Sequence, residues 1–296
     1  MDDRAHLFEQ HRARLCGVAY RMLGSRSDAE DVVQDAYLRW HRTSIVEIRS
    51  IEAWLVTVVT RLSIDRLRQA KAERESYRGP WLPEPFVNNE APPADAESEL
   101  ASSLSVAFLV VLERLAPEER AAFLLHEVFE SGYDEIARIL GKSEAACRQL
   151  VSRARKRVHE DRPRVQVSEA ARSTLLDRFV QAIRSHDKSA LMEILADDAS
   201  WISDGGGKAR AALKPVLGRD AVARFVLAVI GRRAEMRFER VNVNGESGLA
   251  LHFGEHLLSI MSIRTDGARI LEVFATLNPE KLSQIGVPFR LLSETH

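Results

Sequence analysis

Cysteine is almost absent from this chain. The two that occur, Cys16 and Cys147, are too few for a disulfide framework or a cysteine-based zinc site. Both fall on apolar helix faces, so buried free thiols are expected. Long hydrophobic runs are missing as well, and nothing approaches the length of a membrane span. The opening stretch MDDRAHLFEQHRAR has no apolar core of the kind a signal peptide carries; the expected compartment is the cytoplasm, with no membrane partner. There is no internal repeat. Neither sign of charge dominates, the formal net charge being −1. That near-neutral total hides a segregation of basic and acidic segments, and it is no argument against nucleic-acid binding, because the relevant field is local. What is abundant is apolar (45%) and charged (29%) side chains, over 296 residues that suggest two or three domains, each able to bury a core.

The most informative segment is Tyr133–Arg157, YDEIARILGKSEAACRQLVSRARKR. It reads as two short helices joined at Gly141. Ile136, Ala137 and Leu140 form the inner face of the first, and Ser143 can cap the second by accepting a backbone N–H. Cys147, Leu150, Val151, Ala154 and Val158 recur at helical spacing and should be buried. Arg148, Gln149, Ser152, Arg153, Arg155 and Lys156 then point outward. From Lys142 to Arg164 there are eight Lys/Arg against three acids, a local charge of +5. An amphipathic hairpin with a solvated basic face would show the same charge. The short apolar helix, glycine turn and capped basic helix together favour a helix-turn-helix, whose second helix enters the DNA major groove.

Residues 5–75 read as helix interrupted once or twice, the first helix ending at Gly24. Ser27-Asp-Ala-Glu30 has the form of a capping box. After it, Val32, Val33, Ala36, Tyr37 and Trp40 make an apolar stripe, while Asp28, Asp31 and Asp35 share an exposed face with Gln34. Acids in a first turn complement the helix dipole, which explains Asp28 and Asp31 but not Asp35. The helix IEAWLVTVVTRLSIDRLRQAKAER should bury Leu55, Val58, Val59 and Leu62. Trp54, Thr57, Arg61, Asp65 and Arg68 recur along another side. From Arg61 to Arg78, six Lys/Arg, Arg66 among them, face three acids. Cations on such a helix suit phosphates, and an aromatic at its head can stack on an unpaired base; Trp54 reads equally well as a core residue.

Residues 76–100 form a linker with five prolines, and from Glu84 to Glu99 it carries five acids and no base. Its second half is expected to be mobile. Its first half, with Trp81 and Leu82 beside Pro83, holds apolar side chains that a plain spacer does not need, so it should dock. Helices resume near Leu100, with Pro117 starting one, and Arg162-Pro-Arg164 closes that unit. Thereafter helices over Ser168–Ser185 and Lys188–Leu195, a strand over Ala199–Ser203, a helix over Asp220–Ile230 and four alternating segments predict an α+β domain with a curved antiparallel sheet.

These pieces resemble, in type, order and spacing, a bacterial sigma factor of the extracytoplasmic-function (ECF) group. The resemblance covers residues 5–160. It implies two all-α domains, 5–75 (region 2) and 101–162 (region 4), joined by the linker 76–100. It implies that the segment holding Asp28, Asp31, Gln34 and Asp35 docks on core RNA polymerase. Trp54, Thr57, Arg61, Arg66 and Arg68 would meet the minus-ten element of promoter DNA. Ser143, Arg148, Gln149, Ser152, Arg153, Arg155 and Lys156 would meet the minus-35 element, with Arg157 on phosphates. Residues 168–296 resemble a SnoaL-like domain, a cone-shaped α+β fold. One sigma-factor subgroup carries it fused and shows three short motifs. Here they are Trp81-Leu82-Pro83-Glu84-Pro85, Asp204-Gly205-Gly206-Gly207-Lys208 and Asn278-Pro279-Glu280-Lys281-Leu282, the last departing from the subgroup by Glu for Asp. The acidic linker, its apolar patch and the two motif-bearing loops together predict regulation in cis by this domain, with Asp204–Lys208 and Asn278–Leu282 near one another and packed against the linker or the first domain, and with no separate anti-sigma factor required.

The glycine loop lacks the upstream glycine and the Ser/Thr after lysine that a nucleotide-phosphate loop needs; a tight bend or a close backbone approach is the better reading. Catalysis in a SnoaL-like cone would draw on Asp197, Asp198, Asp204, His252, Glu255 or His256. His252 and His256 share a side of a strand only if no bulge falls at Gly254. A small-molecule ligand in the apolar cone stays open. The sequence favours a promoter-specificity subunit with no catalytic chemistry, cofactor or metal of its own. The alternatives are a SnoaL-like enzyme with a DNA-targeting module, and a dimeric activator that needs no polymerase to recognise DNA.

Overall fold

The computed structural model describes residues 3–44, 48, 50–88, 104–161, 167–231, 235–283 and 285. Outside them lie the second half of the linker (89–100), the Arg162-Pro-Arg164 closure, and 45–47 and 49 of the loop before the third helix. The chain divides into two compact units. One comprises the stretch up to Glu75 with Val111–Asp161; the other comprises Ser76–Val110 with Arg162–Val287.

Among the described residues the first unit is all helical. Helices α1 (Asp3–Leu23), α2 (Arg26–Arg42) and α3 (Ile51–Glu75) bury Leu15, Tyr20, Leu23, Val33, Trp40 and Leu55. Gly24, at φ +63°, takes the left-handed conformation that ends α1. The chain then passes directly into extended Ser25, whose hydroxyl accepts the Asp28 N–H at 3.2 Å. The cap is therefore Ser25, two residues before the Ser27 expected from sequence; Ser27 already lies in the first turn, and Glu30 pairs with Arg26 instead (3.5 Å). On α3, Leu55 and Val59 are buried as read, but Val58 and Leu62 only partly; Val56, Ile64 and Leu67 complete the core. The stripe is broad because α3 packs on α1 and α2 and also on the helices of the helix-turn-helix region.

After α4 (Val106–Leu112), α5 (Pro117–Glu127) begins with proline at its first position. Helix α6 (Tyr133–Leu140) ends on Gly141 at φ +64°, and the Ser143 hydroxyl caps α7 (Glu144–Asp161) by accepting the Ala146 N–H at 3.2 Å. All five apolar positions read from the spacing of α7 are buried. On α6, Ile136 is joined in the core by Ile139; Ala137 and Leu140 are half-buried.

The second unit is α+β. Among the described residues it contains α8 (Glu169–Arg184), α9 (Lys188–Ile194) and α10 (Arg219–Val229) beside seven strands: β1 (Val87–Asn88), β2 (Leu195–Asp204), β3 (Val216–Leu217), β4 (Met236–Val243), β5 (Glu246–Phe253), β6 (His256–Thr265) and β7 (Ile270–Thr276). A short helix, α11 (Pro279–Leu282), follows. The strand order is β1-β4-β5-β6-β7-β2-β3, antiparallel except for β2 and β7, which run parallel. Alternation along the strands gives the sheet two apolar faces. Leu249, Leu251, Met261, Ile263, Val273 and Trp201 meet Phe179, Leu191 and Val226 of the helices. Ala250, Ile260 and Phe274 face the other way and are covered by Leu82 of the linker and Val106. The linker supplies β1 too, pairing Val87 with Val243.

Candidate functional site

Helix α2 presents a small polar surface. Asp31, Gln34 and Asp35 are exposed and have no hydrogen bond or ion pair among the described residues. Leu38, 47% exposed, completes the same i, i+3, i+4, i+7 face. Asp28 does not belong to that surface as the sequence suggested. It is half-buried and binds Arg66 Nε at 2.8 Å.

The basic side of α3 is occupied from within the unit. Arg61 donates from Nε to the Ile139 carbonyl (2.8 Å) and from Nη2 to the Arg138 carbonyl (3.0 Å). These are carbonyls at the C-terminal end of α6, which lack helical partners. Arg68 bridges Asp65 (3.1 Å) and Glu118 (3.0 Å). Arg66 also binds Glu73 (3.0 Å); the hydrogen bonds to Glu73 and Asp28 hold its guanidinium charged more firmly than usual. Thr57 returns its hydroxyl to the Ala53 carbonyl (2.7 Å), and Trp54, half-buried, lies 5.9 Å from the Trp40 ring.

On α7, Arg153 (3.1 Å) and Arg157 (2.5 Å) both bind Glu119, a buried carboxylate on α5 that also accepts the Ala116 N–H. Arg155 binds Glu127 at 2.5 Å, and Arg148 binds Glu144 at 2.8 Å with its guanidinium 5.0 Å from the Tyr133 ring centre. Gln149, Ser152 and Lys156 are exposed and without a partner among the described residues. Ser143 is exposed while serving as the cap.

In the second unit, the three short motifs meet. Asp204, at the end of β2, is fully buried. Its carboxylate accepts from the Tyr77 hydroxyl (2.6 Å), the Leu82 amide (2.9 Å), the Gly206 amide (3.0 Å) and the Lys281 ammonium (2.7 Å). Four donors satisfy a carboxylate that has left water. Burial, and next the hydrogen bond to Asp204, push the Tyr77 phenol well above its ordinary range, so it stays a donor. The Asp204 carbonyl accepts the amides of Leu277 (2.7 Å) and Asn278 (2.9 Å). Asn278 caps α11 through Glu280 N (3.0 Å) and donates to the Tyr77 oxygen (3.0 Å). Lys281 also donates to the Leu82 carbonyl and stands 4.1 Å from the Trp81 ring centre. Lys208 pairs with Glu280. Gly206 lies at φ +59°, and a Cβ there would sit 2.4 Å from Asn278 Nδ2. The glycine therefore serves close approach as well as the bend. Gly205 and Pro83 are buried, Leu282 is half-buried, and Gly207, Pro279 and Glu280 are exposed.

The residues considered for acid–base chemistry do not converge. All of Asp204's polar contacts are internal to the junction. Asp197 is exposed and bound to Arg219 (2.7 Å); Asp198, Glu255 and His256 are exposed. His252 and His256 lie on different strands, His252 opposite Leu257 and His256 opposite Phe253, with a register shift at Leu251/His252 and Gly254 in the turn. Among the described residues no group of three or more His, Cys, Asp or Glu is placed to hold a metal. A groove of about 570 Å³ between α8 and β4–β5 is lined by Val180, Phe238 and Leu249, with Arg184 and the Asp177–Arg240 pair at its polar side.

Three family descriptions match: "Sigma-70 region 2" over residues 7–73, "Sigma-70, region 4" over 105–158, and "SnoaL-like domain" over 176–275. The ECF RNA polymerase sigma factor SigJ of Mycobacterium tuberculosis is 42% identical over 250 residues, which span 81% of this chain and 78% of that protein. The chain belongs to the ECF RNA polymerase sigma factors. The probable sigma factor SigI of the same species is 29% identical over 277 residues, 93% of each chain. The crystal structure of M. tuberculosis SigJ matches with a TM-score of 0.76 at 35% identity, covering 96% of this chain and 100% of that one.

In this sigma factor the region 2 match takes in α1–α3 and the region 4 match α4–α7. As a sigma factor it works with core RNA polymerase and recognises promoter DNA. No helix among the described residues is long and apolar enough to cross a membrane. Two of the three motifs at the junction, Trp81–Pro85 and Asn278–Leu282, lie outside all the family matches. Sequence reasoning missed Leu38, Tyr77 and Glu119. Glu119 could have been found, since it stands at N3 of a helix opened by Pro117. Tyr77 carries no local signal, and Leu38 becomes notable only once its exposure is known.

Proposed function

We propose that this ECF sigma factor is regulated in cis by its SnoaL-like domain, through the junction where Trp81–Pro85, Asp204–Lys208 and Asn278–Leu282 meet. The observation that carries this reading is the buried Asp204 carboxylate, which takes donors from the linker (Tyr77, Leu82), from its own loop (Gly206) and from α11 (Lys281). The linker joins the two promoter-binding regions in sequence, so holding it limits their freedom. Tethering makes even a weak contact effective, because local concentrations reach roughly millimolar. Asp31, Gln34 and Asp35, joined by Leu38, dock on core polymerase. Trp54, Thr57, Arg61 and Arg68 face the minus-ten element, and the outward side of α7 faces the minus-35 element. Arginines paired internally exchange those partners for phosphates on binding. The extension performs no catalysis, no separate anti-sigma factor is required, and the protein works in the cytoplasm. In-vitro transcription from one cognate promoter compares the full chain, a chain ending before Asn278, and Asp204→Ala at equal concentration. The expected result is a several-fold rise in initiation when the Asn278–Leu282 latch is lost. Identical activity in all three removes the regulatory reading.

A further inference from the structure

We propose that the hollow beside the glycine loop is a binding site for a small phosphorylated ligand. The hollow measures about 360 Å³, the lower end of the range typical of ligand sites. Three cations line it: Arg78, Lys208 and Arg210. Arg78 and Arg210 are exposed, and neither has a hydrogen bond or ion pair among the described residues. Lys208 is held by Glu280, itself exposed. The set carries three positive charges against one negative, a balance of +2 that matches a phosphate dianion. From Gly205 to Arg219 the chain has four bases and no acid. Guanidinium groups present forked donors that fit phosphate oxygens, and two of them flank this hollow.

The rest of the lining completes the ligand's description. Gly207, at φ +71°, lies against the stem of Arg78, which a Cβ there would meet at 3.2 Å, so glycine lets this arginine cross the loop at the edge of the hollow. Ala211 and Leu213 form an apolar wall, and Leu213 is 56% exposed, so an organic body attached to the phosphate would cover it. A nucleotide-phosphate loop with magnesium is not required, and the missing Ser/Thr after Lys208 does not count against this site. The hollow lies apart from the groove between α8 and β4–β5. An extended DNA backbone would suit a ridge or stripe of charge better than a concavity of this size.

Binding should also touch the junction, because a dianion competes with Glu280 for Lys208; this consequence alone rests on the cis-regulatory reading. Isothermal titration of the full chain with pyrophosphate and with glucose 6-phosphate, glucose serving as the uncharged control, tests the site. Saturable one-to-one binding of a phosphate probe is expected, with glucose silent and affinity at least tenfold lower in Arg78→Ala/Arg210→Ala. Both side chains are exposed and without a hydrogen bond or ion pair among the described residues, so an unchanged melting curve will show that the double variant is folded. No saturable binding to either probe, or equal binding by the double variant, overturns the proposal. So does displacement of the probe by random duplex DNA that depends on the same two arginines, which would make the surface a nucleic-acid contact. Binding that leaves transcription unaltered upholds the site and counts only against its link to the latch.

Discussion

Asp204 and Lys281 stand 77 residues apart in sequence and 2.7 Å apart in space, with side chains 0% and 7% exposed. A buried ion pair is weak support for stability on its own, because desolvation offsets much of the attraction. Here the carboxylate has three further donors and the ammonium a carbonyl, so the pair belongs to a filled network. Lys281→Met strands the charge of Asp204 and should destabilise the second unit by about 3–5 kcal/mol. Gly206→Ala removes no hydrogen bond, yet it drives a methyl into Asn278 and forces a left-handed residue; about 1–3 kcal/mol is expected. Urea titration followed by tryptophan fluorescence measures both. A wild-type midpoint for Lys281→Met would show that the network is ornamental.

Core polymerase binding should separate the acidic residues of α2. Asp31→Arg with Asp35→Arg should abolish holoenzyme formation while circular dichroism keeps its helical signal. Leu38→Ala should weaken binding about tenfold, as one buried apolar anchor commonly does. Asp28→Ala should instead lower the melting temperature, since its partner is Arg66, and leave polymerase affinity unchanged. Wild-type affinity in the double arginine variant would defeat the assignment.

The outward residues of α7 should divide into three kinds. Lys156→Ala should weaken binding to all promoters alike and reduce the salt slope by about one, the mark of a phosphate contact. Gln149→Ala should cost about 1–3 kcal/mol and relax preference at one base pair. Arg153→Ala should lower thermal stability along with affinity, because Arg153 shares buried Glu119 with Arg157. Fluorescence anisotropy across a salt series, with melting curves beside it, distinguishes the three. Equal loss of stability in Lys156→Ala and Arg153→Ala would contradict the division.

Thiol chemistry should be silent in the folded chain. Burial pushes the Cys16 thiol up to about 11 and raises that of Cys147 as well. The folded state thus holds its proton more tightly than the unfolded state, whose thiols titrate near 9. The resulting stabilisation is complete below about pH 9 and fades as pH climbs toward 11. Native protein at pH 8 should take up no thiol reagent and denatured protein should take up two equivalents. Rapid native labelling would contradict burial.

Much of the first unit was legible because its signals are local. Gly141, Ser143 and the spacing of Cys147, Leu150, Val151, Ala154 and Val158 each constrain their own turn of helix. The cap of α2 was misread by two residues, because the position of Ser25 depends on how Gly24 leaves the preceding helix. Partnerships such as Arg61 with the end of α6, or Arg153 and Arg157 with Glu119, join distant segments and leave no periodic trace. The same holds for the junction. Sequence marked the motifs and expected them to lie near one another, but Tyr77, which touches both Asp204 and Asn278, belongs to no motif. The two-residue strands β1 and β3 were too short to stand out in any pattern.

Val87 and Asn88 pair with the edge of β4, while Leu82 and Val106 cover the face of the sheet turned away from its own helices. The polypeptide that folds as the C-terminal module therefore begins well before the region 4 helix-turn-helix in sequence, and the DNA-binding helices α5–α7 are inserted within it. Excising the extension at residue 165 would bare an apolar sheet face and an unpaired strand edge, the two surfaces most prone to self-association.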